Sequence, residues 1–149
     1  MKITISDTQK SIKLDKLKIK KIIKAIFEKE KIETDEVIFH FVDEKTIKDL
    51  HIKHFNDPAS TDCITLALDP LNEKKPYHVI GECFICTDEA IIFSKEHNLD
   101  KFKEITLYII HTILHLIGFD DIKKNDKLVM RKKENEILSY LEMKNILLK

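Results

Sequence analysis

The apolar and polar positions of this chain fall into short periodic stretches. Residues 1–6 (MKITIS) alternate, which is the period of a strand. Between residues 15 and 31 the period becomes helical. Ile19, Ile22, Ile23 and Ile26 form an apolar stripe there, with Lys13, Lys20 and Lys24 roughly opposite. EVIFHFV (36–42) is β-branched and aromatic and predicts a buried strand. EKTIKDLHIKHF (44–55) predicts a helix that ends before the Asn56-Asp57-Pro58 turn. DCITLALD (62–69) sets Ile64, Leu66 and Leu68 against Thr65 and Ala67, again a strand, and PLNEKKPY (70–77) predicts a loop. HVIGECFIC (78–86) predicts another strand, interrupted by Gly81. TDEAIIFSKEHN (87–98) predicts a helix with Thr87 as its N-cap. A stronger helix over 101–117 stops at Gly118, and a last, Lys-rich amphipathic helix covers 123–147. Strands and helices do not alternate strictly, which predicts a mixed α+β domain rather than a doubly wound sheet.

The helix over 101–117 carries the chemistry. His111 and His115 stand four residues apart, so their imidazoles lie one turn apart on the same face. The rest of the helix (Leu107, Tyr108, Ile109, Ile110, Ile113, Leu114, Leu116, Ile117) is apolar almost all round and must be buried. Two protonated imidazoles would repel each other in such surroundings, whereas a divalent metal binds both as neutral ligands. Gly118 lets the chain turn back, which can bring Asp120 or Asp121 to a third coordination position. The pattern is H-x3-H-x2-G-x2-D. Three protein ligands and an open position describe a catalytic zinc site rather than a structural one. The competing reading makes both histidines core residues bonded to backbone carbonyls. The pairing at i,i+4, the glycine turn and the carboxylates favour the metal.

Composition narrows the function classes. The 149 residues suit one domain, and 35% charged against 43% hydrophobic residues describe a globular chain. Lys+Arg and Asp+Glu each number 26, so nothing in the net charge marks a strongly basic nucleic-acid binder. Ten lysines against four acidic residues in 1–31 most simply make a solvated face, with a phosphate backbone as the alternative contact. No apolar run reaches membrane-spanning length, and MKITISDTQK lacks a signal-peptide core. Three cysteines (Cys63, Cys83, Cys86) imply no disulfide framework. The expectation is a chain of the reducing cytoplasm with no membrane partner. Cys83-x-x-Cys86 has no second ligand pair, and residues three apart in a strand face opposite ways, so buried free thiols are predicted. His40, His51, His54, His78 and His97 are isolated. Among them His54 draws notice, because it precedes the turn leading to Asp62.

The run His111-Thr-Ile-Leu-His-Leu-Ile-Gly-Phe-Asp-Asp121 resembles the hallmark HGxLHLxGYDH of the YbeY-type endoribonuclease family, the bacterial rRNA maturation factors. Ser60–Leu66 (STDCITL) is similar to that family's PTDVLSF, and Gly81–Cys86 (GECFIC) to its GDIxIS/C. Met130–Leu138 is similar to its final helix. The resemblance implies one domain over 1–149, with a small mixed four-stranded sheet packed with helices and a zincin-like metal-site helix. It also implies one zinc ion per chain, held by His111, His115 and Asp121. The implied activity is a single-strand-specific endoribonuclease acting in 16S rRNA 3′-end maturation and ribosome quality control. Single-stranded rRNA and the small ribosomal subunit are then the partners. Asp62 becomes a pocket residue by the family match, and Asp120 a candidate carboxylate to orient a histidine, as metal sites usually have one.

Three positions depart from the family pattern. Its third histidine falls at Asp121, and a carboxylate gives the metal a harder, more anionic shell. Its arginine before PTD falls at Phe55, so a phosphate-holding guanidinium is missing there. Thr112 replaces its glycine. Two rival readings follow. A zinc peptidase shares the H-x3-H spacing, but needs a glutamate where Thr112 stands. A non-catalytic RNA- or ribosome-binding module would keep the metal only as structure.

Overall fold

Asp15, Asp43 and Asp100 each turn a carboxylate oxygen onto the first free amides of a helix, accepting from Lys18, from Thr46, and from Phe102 and Lys103 respectively. These caps set where three helices begin. The computed structural model describes residues 1–149. Its elements run β1 (Lys2–Asp7), α1 (Lys16–Lys29), β2 (Glu36–Val42), α2 (Glu44–Phe55), β3 (Cys63–Ala67), β4 (Val79–Cys86), α3 (Thr87–Glu96), α4 (Lys101–Leu116) and α5 (Lys124–Met143). The four strands form one sheet in the order β1-β2-β4-β3. β1, β2 and β4 are parallel, and β3 lies antiparallel to β4 at the edge. The fold is therefore α+β around a small mixed sheet. No helix is long and apolar enough to cross a membrane.

The strand alternation sorts the core into two clusters. Phe39, Phe41, Cys83 and Ile85 face the main core, where the Ile19, Ile22, Ile23 and Ile26 stripe of α1 meets Ile109, Ile110 and Ile113 of α4 and Ile137 and Leu141 of α5. Each fully buried isoleucine is worth about 1.5–3 kcal/mol of transfer free energy. The other face holds a smaller cluster of Val42, Ile47, Ile64, Phe84 and Cys86. Cys83 and Cys86 are thus buried on opposite faces, and burial pushes their thiols up to about 12 and about 11. Gly81 matters where α4 crosses β4. A methyl group there would collide with the Leu116 side chain and the Leu66 carbonyl. Any larger residue would have to displace the Leu66 backbone of β3 as well as the Leu116 side chain.

Several expectations need correcting. Thr87 is the first residue of α3, not its cap. Its buried hydroxyl donates to Gln9 Oε1 at 3.1 Å, tying α3 to the segment after β1. Lys13 lies before α1, outside the lysine face. Leu68 falls beyond β3 and is 51% exposed, because β3 ends at Ala67. The last helix ends at Met143 rather than 147. Asn145 adopts a left-handed conformation (φ 56°), and the tail folds back to bury Leu148. Lys29 Nζ donates to Glu136 at 2.7 Å and Lys133 pairs with Glu30 at 3.0 Å, which fixes α5 against α1.

Candidate metal centre

The end of α4 is built to return the chain. The Gly118 amide donates to the His115 carbonyl and the Phe119 amide to the Leu114 carbonyl, at 3.1 and 3.0 Å. This paired closure requires a left-handed residue, and Gly118 supplies it at φ 101°. The Asp120 carboxylate accepts from the amides of Asp121 and Ile122 at 2.7 and 3.3 Å. The turn so braced points Asp121 back at the helix it has just left.

His111, His115 and Asp121 converge, with one ligand atom of each lying within 4.8 Å of the others. His111 Nε2 and His115 Nε2 are 3.0 Å apart, and Asp121 Oδ2 lies 3.4 Å from the first and 3.6 Å from the second. A tetrahedral zinc with bonds of about 2.0–2.1 Å would space its ligands about 3.3 Å apart. The protons support the same reading. His115 Nδ1 lies 3.0 Å from the Phe119 carbonyl, which can only accept, so Nδ1 donates. His111 Nδ1 donates to Glu134 Oε1 at 2.8 Å. In the neutral rings both Nε2 atoms are then bare lone pairs. They face each other and a carboxylate, an arrangement that a cation satisfies and that three acceptors alone do not. The residues fit a divalent metal.

Electrostatics around His111 agree. Burial pulls its pKa down, but the hydrogen bond and charge of Glu134, with the charges of Asp121 and Asp62, outweigh this and raise it above 6.5. The pocket therefore favours positive charge where the metal would sit.

Of the predicted site residues, the structure brings together His111, His115 and Asp121. Asp62, just before β3, lines the clefts on both sides of the cluster without joining the three donors. Asp120 makes no hydrogen bond to either histidine; its Oδ1 accepts from two backbone amides of the turn. Glu134 of α5 and the Phe119 carbonyl hold the rings instead. His54 does not line the cleft beside the cluster; His51, on the adjacent face of α2, does. Sequence reasoning missed Glu134, which lies 23 residues beyond His111, within the segment similar to the family's final helix. Thr112 is fully buried and donates to the carbonyls of Tyr108 and Ile109, so no general base follows His111 as a peptidase would need. The largest cleft, about 800 Å³ between residues 30–35 and 71–74, holds no ligand cluster.

The cleft on the α5 side of the cluster is lined by Tyr108, Lys127, Arg131 and Asn135. Lys127, Arg131 and Asn135 recur every four residues and share one helix face. Arg131 is the only arginine of the chain, and neither it nor Lys127 forms an ion pair within the protein. Two unpaired cations therefore border the cluster of acids and histidines.

Comparisons with known proteins match nearly the whole chain. The family model described as Endoribonuclease YbeY matches residues 4–142. The chain is similar to Endoribonuclease YbeY of Protochlamydia amoebophila, at 38% identity over 147 residues covering 99% of this chain and 97% of that one. It is similar to Endoribonuclease YbeY of Chlamydia pneumoniae at 36% identity, covering 99% and 96%. The fold is similar to the solution structure of TM1509 from Thermotoga maritima, with a TM-score of 0.62, 22% identity and coverage of 97% and 95%.

Proposed function

This chain belongs to the endoribonuclease YbeY family, and from that membership and the site's chemistry we propose that it is a zinc-dependent endoribonuclease for single-stranded RNA. The substrate we propose is the 3′ end of 16S rRNA, met in the cytoplasm on the small ribosomal subunit during maturation and quality control. The observation that carries the reading is the triad of acceptors, His111 Nε2, His115 Nε2 and Asp121 Oδ2, facing one another with both Nδ1 protons already committed.

His111, His115 and Asp121 would hold the ion. When bound, zinc supplies Lewis acidity toward a phosphoryl oxygen and lowers the pKa of coordinated water to about 7. Glu134 and the Phe119 carbonyl keep the Nδ1 protons in place and the rings aimed. Arg131 and Lys127 lie where they can hold the phosphates beside the scissile one, and a guanidinium suits that task by its paired donors. Asp62 faces the same space from just before β3 and keeps it anionic toward the metal.

The test is cleavage of single-stranded fragments carrying the 16S rRNA 3′ end. The protein is expected to cut them, to lose the activity to a chelator and to regain it with zinc, while the same sequence in a duplex resists. Absence of cleavage at every metal load contradicts the reading and favours a binding module with a structural ion.

A further inference from the structure

The cleft on the β3 side of the cluster differs in kind from its counterpart. It has no cation. Its walls are His51 and Phe55 of α2, with Thr61, Asp62, His111 and His115. Phe55 ends α2, and Asn56 caps the helix in the left-handed conformation (φ 52°). The Phe55 ring belongs to neither core cluster and is 53% exposed. Single exposed apolar side chains are common on soluble proteins. This one lines the same cleft as the metal donors.

Its surroundings are fixed rather than loose. His51 Nδ1 donates to the Ala59 carbonyl at 2.9 Å, and the Ala59 amide donates to Asp57 Oδ1 at 2.9 Å, which ties the 56–60 turn to the helix. The His51 and Phe55 rings lie 5.2 Å apart, tilted by 49°, and His54 is tilted by 60° at 6.5 Å. Neither histidine lies parallel to the phenyl face. The contrast is Phe93, which lines the opposite cleft. There His97 stacks on it at 4.0 Å and 22° and already occupies one face of the ring.

We propose that Phe55, braced by His51, is a stacking platform for one nucleobase of the single-stranded RNA whose phosphodiester lies at the His111–His115–Asp121 cluster. The inference rests on the endoribonuclease reading and adds a positioning and specificity element to it. Stacking on a ring is open to any base in a single strand and closed to a base inside a duplex, so the platform also gives a physical reason for single-strand preference. The two clefts then divide the strand between them. On one side of the cluster Arg131 and Lys127 meet phosphates; on the other Phe55 meets a base.

The test uses the zinc-loaded protein and a short, uncleavable single strand of 2′-O-methyl phosphorothioate nucleotides. One 2-aminopurine is moved along it position by position. Wild-type protein and Phe55→Tyr are expected to quench the probe strongly at one position. Phe55→Ala and Phe55→Leu are expected to lose that quenching and to bind roughly tenfold more weakly, with unchanged zinc content and melting temperature. Leucine keeps the apolar contact and removes only the ring, so it separates stacking from greasy packing. Tight binding with undiminished quenching in Phe55→Ala overturns the proposal while leaving the endoribonuclease reading intact, as does quenching that follows Phe93→Ala instead. Failure of the wild-type protein to bind the strand at all overturns both.

Discussion

Exchange of His115 for alanine is expected to lower RNA cleavage by roughly a thousandfold or more, because several kcal/mol of charge stabilisation leaves with the ion. The variant should still fold. His115 is only half-buried, and its removal opens no void in the main core. His111→Ala should behave alike, since the two Nε2 atoms face the same point 3.0 Å apart. Asp121 separates two explanations of the loss. Asp121→Asn keeps the shape and removes the charge, and should lose most of the activity. Asp121→His restores a neutral imidazole donor on the same turn and should retain metal and much of the cleavage. Rates are to be measured on the same single-stranded fragment with metal supplied in excess and at equimolar level. Wild-type rates in His115→Ala under either condition would show that the cluster takes no part in the reaction.

The second large effect is expected at Glu134, which touches no substrate in this account. Glu134→Ala should weaken zinc binding about 10- to 100-fold, the usual cost of removing the partner that orients a metal-binding histidine. Glu134→Gln should fall between, because its amide oxygen still accepts from Nδ1 but brings no charge. A pH titration adds a readout that lost packing alone would not give. Burial lowers the His111 pKa, and the hydrogen bond and charge of Glu134, helped by Asp121 and Asp62, raise it overall above 6.5. Protons compete with metal for Nε2, so affinity is full above that raised pKa and declines as the pH falls through it. In the metal-free protein the sign is opposite. The raised pKa contributes stability that is complete below 6.5 and is lost as the pH rises through the folded value. Without Glu134, the largest contributions that raise the pKa are gone. The break in log Kd against pH should then move to lower pH. A break that stays where it is in wild type would show that Glu134 does not govern His111.

Much of the centre was legible because it is local. The i,i+4 histidines, the glycine that closes the helix and the carboxylate three residues beyond lie within one turn and a return, where helical geometry decides which atoms meet. Asp120 and Asp121 could not be told apart by that geometry, since adjacent residues differ only in how the turn is pinned, and here Asp120 does the pinning. Glu134 was not legible as the partner of His111, because the contact spans 23 residues and depends on how α5 lies against α4. His51 could have been preferred to His54. It shares a helix face with Phe55 at i,i+4, and a three-to-four residue count from the turn would have found it. Thr87 looked like a cap by residue type, but tertiary contact with Gln9 claimed its hydroxyl. The C-terminal end of α5 was overdrawn for a similar reason. Helical periodicity continues to residue 147, while burial of Leu148 requires the chain to leave the helix at Lys144.

Two departures from the family pattern read differently once the site is assembled. Phe55 leaves the β3-side cleft without a guanidinium, and the chain's single arginine stands on the other wall. Asp121 supplies a negative charge where the family pattern has a histidine, and its Oδ2 lies 3.4 and 3.6 Å from the two Nε2 atoms. Both changes alter how the cleft handles charge and leave the fold that presents it unchanged.

Elemental analysis of the purified protein decides whether the cluster is a metal centre. Such a centre requires close to one zinc per chain at neutral pH in the wild type and none in the His111→Ala, His115→Ala double variant, with both proteins folded. A wild-type protein that carries no metal even after equilibration with zinc, or a double variant that carries as much as the wild type, would contradict it.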